Sequence, residues 1–174
     1  AQAYDDRARE YYANFTQVME QYDCTTRYSF ERDCDDCRAA YKDWLCAVTV
    51  PRCSRASGSS ASYSESEPNL VAHDANYDRA LPSAGPWTEV LPCVGLCYRV
   101  VQSCPSFLQF ACPAVSYERA NSYGVSLDQM TTAARRKLSA NATQCNNLGI
   151  RDVLTESSDA RSLRQPQSRS LSAI

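Results

Sequence analysis

Histidine is almost missing from this sequence: His73 is the single copy in 174 residues. A Ser or Cys nucleophile commonly relies on a His base, and His73 sits in a stretch that reads as a surface loop, so hydrolase chemistry is not indicated. Zinc is poorly supplied too. Cys34 and Cys37 form one C-x-x-C, but the second such pair that a zinc site expects is absent. The calcium-loop signature D-x-[DN]-x-[DN]-G is also absent, so the acidic run "ERDCDDC" reads as a solvated face or a helix N-terminus. No metal or other cofactor is expected. Positive charge is not in excess, with a formal net charge of -2, and nothing draws the chain toward nucleic acid. No apolar run reaches the roughly 18–20 residues needed to span a bilayer. No signal peptide is visible, so the chain reads as a mature or excised ectodomain whose membrane anchor lies elsewhere or on a partner. Large aliphatic side chains are sparse, and the 11 tyrosines supply much of the bulky apolar surface. A core of that kind needs help.

The help is ten cysteines, an even count. Secreted domains with thin cores use disulfides, whereas the cytosol keeps thiols reduced. Each bridge contributes roughly 2–4 kcal/mol against a net stability of about 5–15 kcal/mol. Redox catalysis is a poor fit. Asp33, Asp35 and Asp36 surround Cys34 and Cys37, and their carboxylates disfavour a thiolate there, with Arg32 and Arg38 only partly offsetting them. Two sequons, Asn14-Phe15-Thr16 and Asn141-Ala142-Thr143, agree with an oxidising secretory compartment and predict N-glycans at Asn14 and Asn141.

Periodicity predicts a mainly α chain. "AYDDRAREYYANFTQVMEQYDC" reads as a helix with Tyr4, Tyr11, Phe15, Val18 or Met19, and Tyr22 on its apolar side, and Asn14 and Gln21 opposite. A second helix runs from near Asp35 to Val48, with Ala40, Tyr41, Trp44, Leu45 and Val48 at helical spacing, and Pro51 beyond its end. "LPCVGLCYRVVQSCP" gives a third, with Pro92 in its first turn and Pro105 as its stop. A fourth is predicted over about Ser126 to Ala140, opened by a Ser126/Gln129 capping box. Residues 54–91 read as a long exposed loop, and 151–174 as a polar tail that is disordered without a partner. Trp87 is either a core plug or an exposed anchor, with the core favoured.

Helix geometry constrains the bridges. Cys93 and Cys97 are one turn apart, which holds their Cβ atoms about 5–6 Å apart, too far for a disulfide at roughly 3.5–4.5 Å. Each must reach off the helix, and so must Cys104 if the helix extends that far. Composition leaves the full pairing open.

The spacings C-x8-C-x6-C at Cys37, Cys46 and Cys53, and P-C-x3-C-x6-C at Cys93, Cys97 and Cys104, resemble the cysteine-rich domain of Frizzled receptors. The wording "AYKDWLCAVTVPRC" with "LPCVGLCYRVVQSCPSFLQFACP" looks closer to the fungal stretch-activated calcium-channel regulatory subunits, the mating-induced-death family, whose animal relative is the sodium leak channel auxiliary factor. The resemblance covers roughly residues 11–150. It implies a small disulfide-stapled, Frizzled-like helical domain over 1–150 with little or no β. The Frizzled order implies Cys24–Cys53, Cys34–Cys46, Cys37–Cys104, Cys93–Cys145 and Cys97–Cys112. It also implies a non-enzymatic auxiliary subunit on the extracellular face of the plasma membrane, with a pore-forming calcium-channel subunit as its partner. The rival implication is a Frizzled-like module that holds a lipid or a secreted protein ligand. Candidate partner contacts are Tyr63 and Trp87 in the loop, and Arg161 and Arg164 in the tail.

Overall fold

The computed structural model describes residues 2–22, 31–54, 67–72, 87–138, 140 and 142–150. Helices α1 (Gln2–Met19) and α2 (Cys34–Thr49) precede three short strands, β1 (Arg52–Cys53), β2 (Leu70–Ala72) and β3 (Thr88–Val90). Helices α3 (Val94–Ser103), α4 (Ser116–Ser122) and α5 (Thr132–Arg135) follow. The result is a mainly α, disulfide-stapled domain with one small sheet.

Asp33 sets the start of α2. Its carboxylate accepts from the Asp35 and Asp36 backbone N–H groups, both at 2.9 Å, and Asp36 accepts from the Asp33 N–H at 3.2 Å. This reciprocal cap satisfies amides that the helix itself leaves unpaired. The inward face of α1 is Phe15 and Met19, with Tyr12 packed beside them. Of the alternatives Val18 and Met19, Met19 turns inward, while Tyr11 and Tyr22, expected on that face, are instead exposed. The 3.6-residue period admits both stripes, and the one that meets α2 wins. Phe15 and Met19 pack with Cys37 and Ala40 of α2 and with Val100 and Cys104 at the end of α3.

Among the described residues, three disulfides have both partners placed: Cys37–Cys104, Cys93–Cys145 and Cys97–Cys112, with Cα separations of 4.6, 5.0 and 5.9 Å. All three are pairs that the Frizzled order implies, and each leaves the α3 region for another segment. The other two implied pairs are corrected. Cys34 is disulfide-bonded, but Cys46 is a free thiol. Both lie on α2, and a helix rising 1.5 Å per residue sets them about 18 Å apart, whereas bridged Cα atoms lie within about 6.8 Å. Cys53 is an exposed free thiol on β1, so it does not bridge to Cys24, which itself lies outside the described residues.

Residues 54–91 are not simply an exposed loop. β2 and β3 come from this segment, pair antiparallel with Leu70 opposite Val90, and join β1 in the order β1-β3-β2. Asn69, Leu70, Thr88, Val90 and Leu91 are buried.

The third helix starts later than expected. Pro92 pairs with Asn146 in an isolated bridge, Cys93 caps, and α3 begins at Val94. The predicted helix over 126–140 is also corrected. It is a 3-10 turn at Leu127–Gln129, a break at Met130, and the short α5. The Ser126 cap does not form. Gln144 takes its place: its Oε1 accepts from the Leu127 N–H at 2.7 Å and its Nε2 donates to Ser126 Oγ at 3.0 Å. A tertiary partner has overridden a local one.

A buried polar knot organises this second half. The Asn69 side chain is fully buried. Its Nδ2 donates to the carbonyls of Val125 (3.0 Å) and Thr143 (2.8 Å), and its Oδ1 accepts from the Val125 N–H at 2.7 Å. The Asn69 carbonyl accepts from Leu91 at 2.9 Å, and Glu67 accepts from the Thr143 N–H at 3.0 Å. Gly124 makes room for it: a Cβ there would stand 2.6 Å from Asn69 Oδ1 and 2.7 Å from the Cys145 Cβ.

Candidate functional site

Helix α1 presents a second stripe, Arg7, Tyr11, Asn14 and Val18, at the i, i+4, i+7, i+11 spacing of one face. Its first two residues border a half-open cleft of about 650 Å³. Tyr41, Trp44 and Val48 of α2 also line it, with Val71, Ala72 and Glu89 of the sheet. Asn121, Ser122 and Tyr123, where α4 runs out, complete the lining. The volume falls in the roughly 300–1,000 Å³ range of ligand pockets.

The aromatic wall is held in place from behind. Tyr41 stacks on Phe15 with ring centroids 3.8 Å apart and meets Trp44 at 5.5 Å. The Trp44 indole N–H donates to the Tyr123 hydroxyl at 2.8 Å. That bond joins α2 to the chain after α4 and fixes both rings. Arg99 of α3 pairs with Asp43 of α2 at 2.8 Å, and each side chain is about one-third exposed or less, which locks the same helix from its other side. Burial raises the Tyr41 hydroxyl above the usual phenol range, and nearby Tyr11 adds to the rise. Burial likewise raises Tyr123, with the Trp44 hydrogen bond offsetting part of it. Both stay neutral at physiological pH, so they offer hydroxyls and ring faces rather than charge.

The cleft therefore has aromatic planes beside amide, hydroxyl, carboxylate and guanidinium groups. Such a lining offers ring faces for stacking and polar groups for hydrogen bonds. Among the described residues, no group of three or more His, Cys, Asp or Glu is placed to hold a metal ion. No described helix is long and apolar enough to cross a membrane.

Of the sequence-predicted contacts, Trp87 is half-buried at the edge of β3 and does not line the cleft. Tyr63, Arg161, Arg164 and Asn141 lie outside the described residues, as does His73. Asn14 is exposed on α1, one turn from Tyr11. The cleft residues Tyr41 and Trp44 were legible only as an apolar helix face. Tyr123 carried no periodic signal at all.

Fold and cross-links together define a class: a disulfide-stapled, mainly α domain with an open cleft. The chain belongs to the Mid1 family of stretch-activated Ca2+-permeable channel components, whose family model matches residues 1–150. The stretch-activated cation channel yam8 of Schizosaccharomyces pombe is 39% identical over 134 residues, covering 71% of this chain and 26% of that relative. The stretch-activated cation channel MID1 of Saccharomyces cerevisiae is 38% identical over 117 residues, covering 65% of this chain and 21% of the relative. The MID1 of Cryptococcus neoformans is 33% identical over 112 residues, covering 55% and 18%. The chain thus spans about a quarter or less of the curated relatives it matches. No solved structure matches.

Proposed function

We propose that this chain is a non-catalytic, extracellular auxiliary domain of a plasma-membrane calcium channel. It docks on the pore-forming subunit and supports calcium influx in response to stretch or pheromone. The observation that carries this reading is the match of residues 1–150 to a family of Ca2+-permeable channel components. Disulfides that persist in oxidising compartments support the extracellular placement. Cross-linking also suits a docking role, because a pre-organised surface loses less ordering entropy on association. Trp87 and Tyr63, with Arg161 and Arg164 of the tail, are the contact elements we assign to the channel, and Asn14 and Asn141 carry glycans.

The rival reading is a Frizzled-like module that holds a lipid or a secreted protein ligand, and its lipid form has less support. Asn121, Ser122, Thr49 and Glu89 line the cleft, and an acyl chain offers them no hydrogen bonds. Affinity capture from fungal membranes in mild detergent separates the two. The wild-type chain brings down a large multi-spanning channel protein, and a Cys97→Ser variant brings down none. Capture of copurifying lipid without any channel, by wild-type protein with native circular dichroism, would overturn the docking reading.

A further inference from the structure

We propose that the cleft is a carbohydrate site, and that its occupant is the chain's own N-linked glycan on Asn14, folded back over Tyr11 and against the Trp44 wall. The proposal goes beyond the channel role and rests only on its secretory-pathway part.

Position carries the argument. Asn14 begins the sequon Asn14-Phe15-Thr16 and is exposed on α1. It follows Tyr11 by three residues and Arg7 by seven on one helical stripe, and both of those residues line the cleft. Residues three apart hold their Cβ atoms about 5–6 Å apart. Helical side chains lean toward the helix N-terminus. A sugar attached to Asn14 therefore starts out directed at Tyr11 and the mouth of the cleft, not away from it. Tyr11 is 46% exposed, which leaves it open to such a contact.

The chemistry of the lining fits the same ligand. A pyranose has an apolar C–H face of slight positive potential, which matches the negative face of an aromatic ring. Its equatorial hydroxyls seek amide, carboxylate and hydroxyl partners at the ring edge. The cleft supplies both, with Tyr11 and Trp44 as planes and Asn121, Ser122 and Glu89 at the rim. Attachment itself is ordinary: the Asn14 amide nitrogen bonds to C1 of the first N-acetylglucosamine, the C1–O bond to a polyprenyl diphosphate donor breaks, and the amide gives up one proton.

The test uses the glycosylated, secreted chain. Mass spectrometry first reads occupancy at Asn14. Release of that glycan by an amidase is then timed on native protein, with denatured protein as the reference. Tyr11→Ala is expected to speed release from the native chain about tenfold, and to leave the denatured rate unchanged. Val18→Ala, on the same stripe but on the far side of Asn14 and 40% exposed, is expected to leave the native rate as it is. In a Trp87→Phe background, which makes Trp44 the one indole, glycan removal is expected to shift the fluorescence of wild-type Tyr11 protein and not of Tyr11→Ala protein. A secreted, disulfide-bonded chain with no sugar on Asn14 overturns the proposal and leaves the channel reading standing. So do equal release rates in wild type and Tyr11→Ala, or an acceleration by Val18→Ala as large as that by Tyr11→Ala. Failure to be secreted with its disulfides formed would instead count against the extracellular reading.

Discussion

The cluster around Phe15 and Met19 and the knot around Asn69 are both buried, yet different forces hold them. In the first, three helices bring apolar faces together, their backbone groups already paired within the helices, and the Cys37–Cys104 bridge crosses the interface. In the second, short strands and turns converge with backbone amides and carbonyls that have no helix to satisfy them. Side-chain amides do it instead: Asn69 serves Val125 and Thr143, and Gln144 serves Leu127. The difference teaches where a chain poor in large aliphatics can be irregular. It is irregular where a fully satisfied polar network replaces apolar packing. The cleft lies along the seam between these halves, and the Trp44–Tyr123 hydrogen bond crosses that seam.

The sharpest way to break the comparison is to cut the helical half's cross-link. Cys37 and Cys104 are 67 residues apart, and chain-entropy reasoning assigns such a bridge about 4 kcal/mol. Cys37→Ser combined with Cys104→Ser is expected to lose about that much in urea unfolding, a large share of a typical stability of about 5–15 kcal/mol. The bridge at Cys97–Cys112, with a separation of 15, is expected to contribute about 3 kcal/mol. A loss of under about 1 kcal/mol on removing the longer bridge would mean that apolar packing alone holds the helices.

Asn69 tests the other half. Asn69→Ala removes three hydrogen bonds and leaves the part-buried Val125 N–H without its partner, at a cost of about 2–4 kcal/mol. Asn69→Asp is more informative. It keeps the shape and the acceptor but, when ionised, places oxygen against the Val125 and Thr143 carbonyls. Burial raises the folded-state pKa of such a carboxyl above its unfolded value of about 3.9. The stability of this variant is therefore greatest below that pH and is lost as pH rises through the folded value. Thermal melts at about pH 4 and pH 7, against wild type, read this directly. Equal deficits at both would mean that the knot tolerates a buried charge. Gly124→Ala follows in size, at about 1–3 kcal/mol, because its Cβ meets both Asn69 and Cys145.

These two halves were unequally legible. The helical half announces itself: Phe15 and Met19, or Tyr41 and Leu45, fall at helical spacing, and the rule that Cys93 cannot bridge to Cys97 follows from rise per turn alone. Even there, periodicity could not choose between the Tyr12 and Tyr11 stripes of α1, since both satisfy it. The choice depends on what α2 offers. The knot gives no such signal. Asn69 and Gln144 act on residues distant in sequence, 56 positions away for Val125, and nothing local distinguishes them from surface amides. The expected helix over 126–140 failed for the same reason, because Gln144 donates to the very hydroxyl, that of Ser126, that would have capped it. The cleft was half visible. Its α2 wall showed as a helix face, while Tyr123 and the sheet are assembled by tertiary contact.

The smallest effects sit on the seam. Tyr123→Phe leaves the Trp44 indole N–H without its acceptor and is expected to cost about 1 kcal/mol, with Trp44→Phe at least as costly because packing is lost as well. The same two tyrosines sharpen the comparison by pH. Tyr41 and Tyr123 are both raised above the phenol value of 10.0. A phenol whose folded pKa is raised keeps its proton longer when folded than when unfolded. Its contribution is whole below the unfolded value and is lost as pH rises through the folded one. Stability is therefore expected to fall above about pH 10, with phenolate absorbance lagging behind that of denatured protein. Tyr41→Phe should remove a part of this alkaline slope that comes from burial, with Tyr11 as the minor contributor. Tyr123→Phe should likewise remove a part that comes from burial, against which the Trp44 bond works. Melts across the alkaline range on both variants decide it: slopes unchanged in both would mean that the seam is wet and that the aromatic wall is not the dry surface its packing implies.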